Sequence, residues 1–549
     1  MSSPNNPENR KILLIQPPIR DFYITEKRTL PYGLASIAAS LKHKGFSVDL
    51  IDCLSVGKKK NIPLPNALSH LAPYFGKPDL SPFGLFHGFY HFGKSFEHIG
   101  VLAKESRAFL VGVSSLFTPY AGEALKTAET VRKALPEAVI VMGGHHASAF
   151  PDETLSSPFV DYVIRGDGET ALAMLAGALL RNAGVLDVPG ICFRRNDGAR
   201  HISEEYAQID PENIPFPDTG LFHRSFYRRK GKKSIVVTAS RGCPLKCSYC
   251  ALATSKIPFR KRSVSSVMAE IMKEAEHDAL GFIDFEDENI SLDKKWFTSL
   301  LKEIQRHLKG CDIELRAMNG LYPPSLDDEL ISDMKKAGFR TLNLSIGTFQ
   351  KEMQKRFRRP AMHDELDRLL PAMQKEGLSA VCYVIAAAPG QPAKDTVMDL
   401  LHLLARRVVA GVSVYYPAPE SVMFDELSFS GKLPPDFMLM RGTALPAPGP
   451  ATKTDAATLM RLGRITNFIT HLLDTKMILP FSEEGLRPEN VAGLHEKPRD
   501  EIGLALLGAF LRDGVIRGIA PEGKVYPHEI NKDLTNLFVS ELKKRTRLF

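Results

Sequence analysis

The segment GCPLKCSYC contains three cysteines within eight residues: Cys243, Cys247 and Cys250. The chain has seven cysteines, and the other four are isolated: Cys53, Cys192, Cys311 and Cys382. An odd number of cysteines argues against a framework of disulfide bonds. Because thiolates are metal ligands, the clustered cysteines predict a metal site. A closed zinc site needs four ligands, so zinc would require a distant fourth one.

The 549-residue chain has the composition of a globular protein, with 44% hydrophobic and 24% charged residues. Its length predicts about three or four domains. The longest apolar stretch, residues 379–389, is shorter than the roughly 20 residues that span a bilayer. The N-terminal stretch MSSPNNPENRK is polar and lacks the apolar core of a secretion signal, so we expect a cytoplasmic location.

The net charge of +8 is modest, but basic residues lie on both sides of the cysteines, in segments 224–233 and 256–262. Two interpretations of these segments remain open: a solvated surface, or attraction of an anionic substrate or a cofactor carboxylate. No recognisable nucleic-acid-binding module accompanies the charge. We therefore expect no nucleic-acid partner.

Buried strands alternate with helices over the first part of the chain. The pattern predicts helices at 31–45 and 121–135 and strands at 11–18, 48–53, 109–117, 138–144 and 160–166. This alternation is typical of a parallel sheet with helices on both faces. Such a sheet binds ligands beyond the carboxyl ends of its strands.

Small and polar residues follow three of these strands: Ser114, Ser115 and Leu116; Gly143, Gly144, His145 and His146; and Gly166, Asp167, Gly168 and Glu169. Glycines at strand ends let a large flat ligand approach the backbone, although they are also common in ordinary turns. The first two groups contain an S-x-L element and a glycine pair.

In these residues the chain resembles the cobalamin-binding domain of B12-dependent enzymes, where the S-x-L element and the glycine pair surround the corrin and its nucleotide tail. The resemblance implies cobalamin contacts at Ser114, Ser115, Leu116, Gly143, Gly144, His145, Gly166, Gly168 and Glu169. The family's D-x-H-x-x-G segment is absent from residues 16–33, so no histidine of that loop is implied as the lower ligand of cobalt.

Residues 187–218 have the turn-rich composition of a hairpin and a linker. The alternation then restarts, and it predicts six strands at 234–240, 281–290, 312–320, 341–347, 379–390 and 411–420. About six strand–helix units indicate an open or partial barrel with ligands at the carboxyl ends of its strands.

The cysteine segment directly follows the first strand of this barrel. In that position, C-x3-C-x2-C resembles the radical S-adenosylmethionine (SAM) superfamily. The resemblance implies that the three thiolates bind three irons of a [4Fe-4S] cluster. The fourth iron would bind the amino and carboxylate groups of SAM, which accounts for the missing fourth cysteine.

The same resemblance implies further SAM contacts at Tyr249, Phe285, Glu286, Asp287, Arg316, Asn319, Ser345 and Pro389. In the family, an aromatic residue before the last cysteine lies near the adenine. A second-strand motif, here at residues 285–287, meets the SAM amino group, and an acidic strand end suits an ammonium. The later strand ends supply ribose and carboxylate contacts, and residues 386–391 pack around the adenine.

Together these segments identify the chain as a member of the B12-binding radical SAM enzymes, similar to the class B radical SAM methyltransferases. The family implies an α/β chain: a Rossmann-like, flavodoxin-like cobalamin-binding domain at 1–180, a linker and hairpin at 181–230, and a partial (β/α)6 barrel at 231–428. A mainly helical C-terminal domain is expected at 429–549. We expect its helices to pack on the barrel, and the alternative is a lid that shapes the substrate site or a contact with a partner.

The implied activity is a cobalamin-dependent methyltransferase. A 5'-deoxyadenosyl radical from SAM would remove hydrogen from an unactivated carbon, and methylcobalamin would supply the methyl group. The chemistry is oxygen-sensitive and requires an electron donor of the flavodoxin or ferredoxin type. Two alternatives remain open: the same cofactors in cyclisation, ring contraction or C–S bond formation, and a non-catalytic corrinoid- or metal-binding protein.

Overall fold

The computed structural model describes residues 10–24, 30–254, 257–276, 278–360, 362–477 and 493–545. Its strands are β1 (Lys11–Gln16), β2 (Ile19–Asp21), β3 (Ser47–Asp52), β4 (Lys59–Ile62), β5 (Phe89–Phe92), β6 (Leu110–Ser114), β7 (Val139–Gly143), β8 (Tyr162–Ile164), β9 (Ile191–Arg194), β10 (Arg200–His201), β11 (Arg228–Arg229), β12 (Lys232–Val237), β13 (Ser240–Arg241), β14 (Arg260–Lys261), β15 (Leu280–Phe285), β16 (Glu314–Arg316), β17 (Thr341–Gly347), β18 (Ser379–Ala386), β19 (Val409–Val414), β20 (Arg517–Ile519) and β21 (Val525–Pro527).

The helices are α1 (Tyr32–His43), α2 (Ala72–Phe75), α3 (Phe96–Ser106), α4 (Ala121–Ala134), α5 (His145–Ala149), α6 (Pro151–Ser156), α7 (Gly168–Leu180), α8 (Val264–Ala275), α9 (Lys294–His307), α10 (Asp328–Ala337), α11 (Lys351–Phe357), α12 (His363–Lys375), α13 (Ala393–Ala405), α14 (Val422–Phe429), α15 (Lys453–Asp474), α16 (Arg499–Asp513) and α17 (Lys532–Arg545).

A seven-stranded sheet forms the N-terminal unit, in the order β10-β9-β8-β7-β6-β1-β3. Strands β3, β1, β6, β7 and β8 are parallel, and the hairpin of β9 and β10 joins them antiparallel at one edge. Helices α1 and α7 cover one face, and α3 and α4 cover the other. Both faces of β1 are therefore buried, which explains its continuous apolar run ILLI at 12–15.

Six parallel strands form the second unit as two groups, β12-β15-β16 and β17-β18-β19. Two bridges, Leu315 to Phe339 and Leu321 to Leu344, join the groups. Helices connect the successive strands, so this unit is a partial (β/α)6 barrel. The predicted fold class is confirmed.

The C-terminal helices share the apolar core of the barrel. Leu459, Leu462 and Ile465 of α15 are buried in the same cluster as the barrel residues. Helix α15 packs on β19 and α13, and α17 packs on α13. The prediction that these helices pack on the barrel is confirmed.

The aromatic segment before α3 links the N-terminal unit to the C-terminal helices. Phe83 is buried, and its ring lies 5.7 Å from that of Phe468 in α15. Arg461 donates hydrogen bonds to the carbonyls of Phe83 and Tyr74 at 3.1 and 2.9 Å. This segment therefore packs against the C-terminal helices.

Within the described residues, no helix has the length and apolar character needed to cross a membrane. The polar N-terminal stretch up to residue 9, Lys256 of the second basic segment, and residues 478–492 and 546–549 of the predicted C-terminal domain lie outside the described residues.

Candidate functional site

The three clustered cysteines lie on a loop that a short strand pair closes. β13 pairs with β14, so the residues between them leave and return at the carboxyl end of β12. Cys247 is buried, Cys243 and Cys250 are partly exposed, and all three are free thiols. The loop thus presents three thiols from one short segment at the ligand-binding end of the barrel.

Burial raises the pKa of Cys250 to about 11 and also raises that of Cys243, and the Glu288 carboxyl acts in the same direction. A metal cation reverses this preference, because it binds the thiolate and displaces the proton. In the part of the chain that the structure describes, no group of three or more His, Cys, Asp or Glu side chains could hold a metal ion. A [4Fe-4S] cluster does not require such convergence, since each thiolate binds a different iron.

A largely buried guanidinium lies beside the loop. Arg359 Nη1 is 3.7 Å from Cys247 Sγ, and its guanidinium lies over the Tyr322 ring at 5.1 Å. Its Nη2 donates to the Ser345 carbonyl, and its Nε is buried without a partner among the described residues. Arg359 lies 112 positions after Cys247 in the sequence. It could not be predicted as a site residue, because the segment RRP at 358–360 is typical of a solvated charged turn.

The acidic run after β15 divides into different roles. Asp287 is buried, and its carboxylate accepts hydrogen bonds from the Ala239 amide at 3.1 Å and from the Ser240 hydroxyl. It therefore fixes the start of the cysteine loop. Glu288, which the sequence analysis did not select, is the member whose charge acts on Cys243 and Cys250. Burial raises the pKa of Glu288 to about 7.

Two of the predicted SAM residues contribute to the barrel itself. Phe285 is fully buried in the barrel core. The Pro389 carbonyl accepts a hydrogen bond from Arg356 Nε at 2.8 Å. Their side chains belong to the structure that surrounds the barrel mouth.

Four other predicted residues lie at the barrel mouth. Tyr249 packs edge-on against Phe357 with ring centroids 5.1 Å apart, and burial raises its pKa. Asn319 is exposed, and its Nδ2 donates to the Glu286 carbonyl at 3.0 Å. Ser345 contacts the Arg359 guanidinium, as described above. Arg316 lies 3.5 Å from Glu314, with a buried Nε that lacks a partner among the described residues.

The carboxyl edge of the N-terminal sheet carries the S-x-L element and the glycine pair. Ser115 is buried, and its Oγ has no hydrogen-bond partner among the described residues. A Cβ on Gly143 would have only the Ile164 carbonyl within 4 Å, at 3.7 Å, so this part of the edge is open. A Cβ on Gly144, whose φ is +108°, would lie 2.7 Å from the Ser115 carbonyl, so the close approach of these backbones requires glycine.

The residues after β8 hold the two units together, and the cobalamin contacts expected at Gly166, Gly168 and Glu169 stay a prediction. Arg241, two residues before Cys243, donates to Asp167 at 2.7 Å and to Glu169 at 2.5 Å. A Cβ on Gly166 would lie 2.3 Å from the Ala207 carbonyl, and a Cβ on Gly168 would lie 2.7 Å from an Ile37 methyl. Gly166, Gly168 and Glu169 therefore serve close packing and ion pairing, and their side-chain positions are already occupied.

Residues after the strands of both units contact each other: Arg165, directly after β8, lies 3.8 Å from Glu420, which follows β19. Leu116 and Phe117 at the sheet edge are 44% and 55% exposed, and Tyr416 after β19 is 46% exposed. The Tyr416 pKa is nevertheless raised, first by burial and then by Cys250, and burial lowers the pKa of the accessible His145. Phe150, in the segment after β7, also packs on Phe424 of α14 with ring centroids 6.0 Å apart, so the two edges face each other.

Two family models match the chain, one in each unit. Residues 94–176 match the B12 binding domain, and residues 237–404 match the Radical SAM superfamily. Among curated proteins, the chain is 24% identical to cytidylyl-2-hydroxyethylphosphonate methyltransferase of Streptomyces wedmorensis over 71% of this chain and 75% of that protein.

Solved structures share the fold at low identity. The radical SAM methyltransferase TsrM from Kitasatospora setae, solved with cobalamin and a [4Fe-4S] cluster, is 18% identical with a TM-score of 0.58, over 77% of this chain and 78% of that one. The cobalamin-dependent SAM radical enzyme OxsB, solved with aqua-cobalamin and SAM, is 13% identical with a TM-score of 0.62, over 98% of this chain and 76% of that one. The predicted arrangement of the two units is thus found in both.

Proposed function

The chain belongs to the B12-binding radical SAM enzymes, and we propose that it is a cobalamin-dependent methyltransferase that acts on an unactivated carbon. One observation carries the proposal. The sheet edge that carries Ser115 contacts the barrel end that carries the cysteine loop, through Arg165 and Glu420 and through Arg241 and Asp167, so a cofactor on each edge would lie close to a substrate between them. Ion pairs from Arg241 to Asp167 and Glu169 hold the two edges together.

The residues of the N-terminal edge fit cobalamin. The unpartnered Ser115 hydroxyl offers a hydrogen bond to the nucleotide tail or a corrin amide, and the open position at Gly143 leaves room for it. Leu116 and Phe117 present the apolar surface that a large ring covers. We propose that Ser114, Gly144 and His145 complete this contact surface.

The residues of the barrel mouth fit a [4Fe-4S] cluster and SAM. Cys243, Cys247 and Cys250 would hold three irons, and the Arg359 guanidinium offsets their negative charge. We propose that Glu288, which lies in the acidic run after β15, binds the SAM ammonium. Tyr249 would lie against the adenine. We further propose contacts to SAM from Arg316, Asn319 and Ser345.

When bound, the cluster and SAM supply a carbon radical that removes a hydrogen atom, and cobalamin supplies the methyl group. In this proposal the chain fixes the separation of the two sites. Leu116, Phe117 and Tyr416 offer exposed apolar and aromatic surface at the two edges. No side chain has to act as a proton donor or acceptor in this scheme.

The proposal includes an external electron donor of the flavodoxin or ferredoxin type and a cytoplasmic location. Seven free cysteines fit a reducing compartment, where disulfides are rare. The exposed part of the cysteine loop fits delivery of electrons from outside.

The test uses the full chain, purified and reconstituted without oxygen, with hydroxocobalamin, SAM and dithionite. A methyltransferase of this class consumes SAM in two ways, so we expect both 5'-deoxyadenosine and S-adenosylhomocysteine. Formation of 5'-deoxyadenosine alone would indicate non-methylating radical chemistry. Absence of both products from cluster-loaded protein would reject the enzyme.

The variant Cys247→Ala separates the two sites. It removes one cluster ligand, so we expect loss of 5'-deoxyadenosine formation and of the iron–sulfur absorbance. Corrinoid binding should stay within about threefold, because the cobalamin surface lies on the other unit. Cys382→Ala, at a buried cysteine of β18, is the matched control and should retain the cluster. Joint loss of cluster and corrinoid in Cys247→Ala would contradict the division into two sites.

A further inference from the structure

Helices α11 and α14 are tied directly to the cysteine loop through Ser248, which lies between Cys247 and Cys250. The Ser248 amide donates to the Phe357 carbonyl at 3.2 Å, and its hydroxyl donates to the Arg356 carbonyl at 2.6 Å. The Met423 amide donates to the Ser248 carbonyl at 3.0 Å. The last turn of α11 and the first turn of α14 therefore both end on the backbone of the metal-binding loop.

Apolar side chains fill the space behind these two helices. Met353 and Phe357 of α11 and Met423 and Leu427 of α14 form one buried cluster, and Tyr249 of the cysteine loop packs against it. This single layer of packed side chains separates the loop from the outer faces of the helices. A protein bound to these outer faces would therefore lie close to the three thiols.

The outer face of this pair, which we call the α11–α14 platform, consists of the exposed residues Lys351, Glu352, Lys355, Arg356, Arg358, Asp425, Glu426, Phe429 and Lys432. Two of its carboxylates are already paired, Glu352 with Lys355 at 2.9 Å and Glu426 with Arg356 at 2.7 Å. Among the described residues, Lys351, Arg358 and Lys432 have no carboxylate within 4 Å, so the platform has an excess of positive charge.

Phe429 adds an apolar contact to this charged surface. Its side chain is 98% exposed, at the last residue of α14. A fully exposed aromatic ring gains free energy when a partner covers it, and aromatic residues often dominate the energy of an interface. The cysteine loop itself exposes Lys246. Positively charged side chains around one aromatic ring suit a partner whose surface is acidic and includes an apolar patch.

We propose that the α11–α14 platform is the docking surface for the electron donor, a small acidic one-electron carrier protein of the flavodoxin or ferredoxin type. The inference rests on the proposed function, because only an iron–sulfur cluster at the cysteines requires a donor. One electron leaves the reduced donor and enters the oxidised cluster, and no bond forms or breaks. Transient electron-transfer complexes bury less than about 1,200 Å², so two short helices offer enough surface.

Opposite charge on the two proteins accelerates their encounter and fixes their orientation. Lys351 and Lys355 lie one turn apart on the exposed side of α11, the helix whose Arg356 and Phe357 carbonyls bind Ser248. A nucleic acid would also be attracted by positive charge, but it would gain nothing from the connection to the cysteine loop.

The test compares two ways of reducing the same reconstituted enzyme: a reduced acidic flavodoxin, and dithionite with methyl viologen. The readout is the rate of 5'-deoxyadenosine formation from SAM, which does not depend on methyl transfer. In Lys351→Glu/Lys355→Glu we expect the KM for flavodoxin to rise about tenfold or more at low salt, and less at 0.5 M salt. The rate with dithionite and the iron content should stay unchanged.

Matched controls separate docking from general charge and hydrophobicity. Lys295→Glu/Lys302→Glu makes the same charge change on exposed positions of α9 and should leave the flavodoxin KM within twofold. Phe429→Ser should raise the KM roughly three- to tenfold at any salt concentration, since the lost contact is apolar. Leu186→Ser, at a side chain that is 65% exposed elsewhere, should not raise it.

Three results would overturn the proposal. The first is an unchanged flavodoxin KM in the α11 double variant, and the second is an equal rise in the α9 control. The third is an equal loss of rate with dithionite in a variant that retains full iron content, which would place these lysines in the reaction itself. Competition by RNA that the α11 variant abolishes, with an unchanged flavodoxin KM, would assign the platform to nucleic acid instead. If no 5'-deoxyadenosine forms with either reductant in the unaltered enzyme, the proposed function itself fails.

Discussion

Removal of the Arg241 guanidinium tests how the two cofactor-binding units are held together. Arg241 Nη1 lies 2.7 Å from Asp167, and Nη2 lies 2.5 Å from Glu169, whose side chain is 3% exposed. In the variant Arg241→Met, Asp167 retains Arg260 at 3.0 Å, whereas among the described residues Glu169 retains only the Ser36 hydroxyl at 2.8 Å. The variant therefore leaves a nearly buried carboxylate without a counter-charge.

Breaking a buried ion pair by removing one partner costs about 3–5 kcal/mol. The Arg241 side chain is 20% exposed, and Asp167 keeps a second arginine, so we expect a free-energy cost at the lower limit of this range. A loss of about 3 kcal/mol corresponds to roughly 150-fold in the equilibrium between the closed contact and its open form. This value describes the local contact rather than unfolding of the chain, because a protein of several units does not unfold in one step.

Amide hydrogen exchange with mass spectrometry measures this local opening. We expect exchange in segments 165–169 and 239–243 to accelerate toward about 150-fold in Arg241→Met, until the rate reaches that of freely exposed amides. Strand β17, which lies in the barrel core, should exchange as in the unaltered protein.

The double variant Arg241→Met/Glu169→Leu is the control, because it removes both charges and leaves no buried carboxylate unpaired. We expect it to recover most of the lost protection, as replaced buried ion pairs often do. The reasoning is refuted if Arg241→Met accelerates exchange by less than about threefold, or if the double variant exchanges as fast as the single one.

Two matched pairs test the cofactor surfaces. Gly144→Ala places a Cβ 2.7 Å from the Ser115 carbonyl at a φ of +108°, so we expect corrinoid affinity to fall about tenfold or more. Gly143→Ala, whose Cβ would lie 3.7 Å from its nearest neighbour, should lower the affinity less. Equal losses of affinity, measured by equilibrium dialysis, would contradict this expectation. Glu288→Gln removes the carboxylate proposed to bind the SAM ammonium, so we expect the Kd for SAM of the cluster-loaded enzyme to rise about tenfold or more. Glu286→Gln should raise this Kd less. A larger rise for Glu286→Gln would assign the SAM ammonium to Glu286 instead.

The strands and the cysteine loop could be predicted from the sequence because their signals are local. The run ILLI at 12–15 is apolar throughout, since both faces of its strand are buried, and the spacing of Cys243, Cys247 and Cys250 is visible within eight residues. Both features depend on neighbours along the chain. The fold class followed from such elements.

The contacts that complete the site could not be predicted, because they join residues far apart in sequence. Arg359 reaches Cys247 across 112 positions, and Arg241 reaches Asp167 across 74. Such pairs leave no periodic pattern. The residues after β8 show the same limit. Glycines at the end of a strand look the same in sequence whether they contact a cofactor or the neighbouring unit. The pairing of Arg241 with Asp167 and Glu169 is visible only in the structure.

The C-terminal helices, whose side chains complete the barrel core, make the order of synthesis matter. Helices α15 and α17 are synthesised after the barrel strands, so β19 and α13 stay uncovered until residues 453–545 have left the ribosome. The cysteine loop is made about 200 residues earlier than α15. A chain shortened before residue 453 would keep every cofactor residue named above and still expose an apolar wall, so the last hundred residues cannot be exchanged between relatives as an independent module.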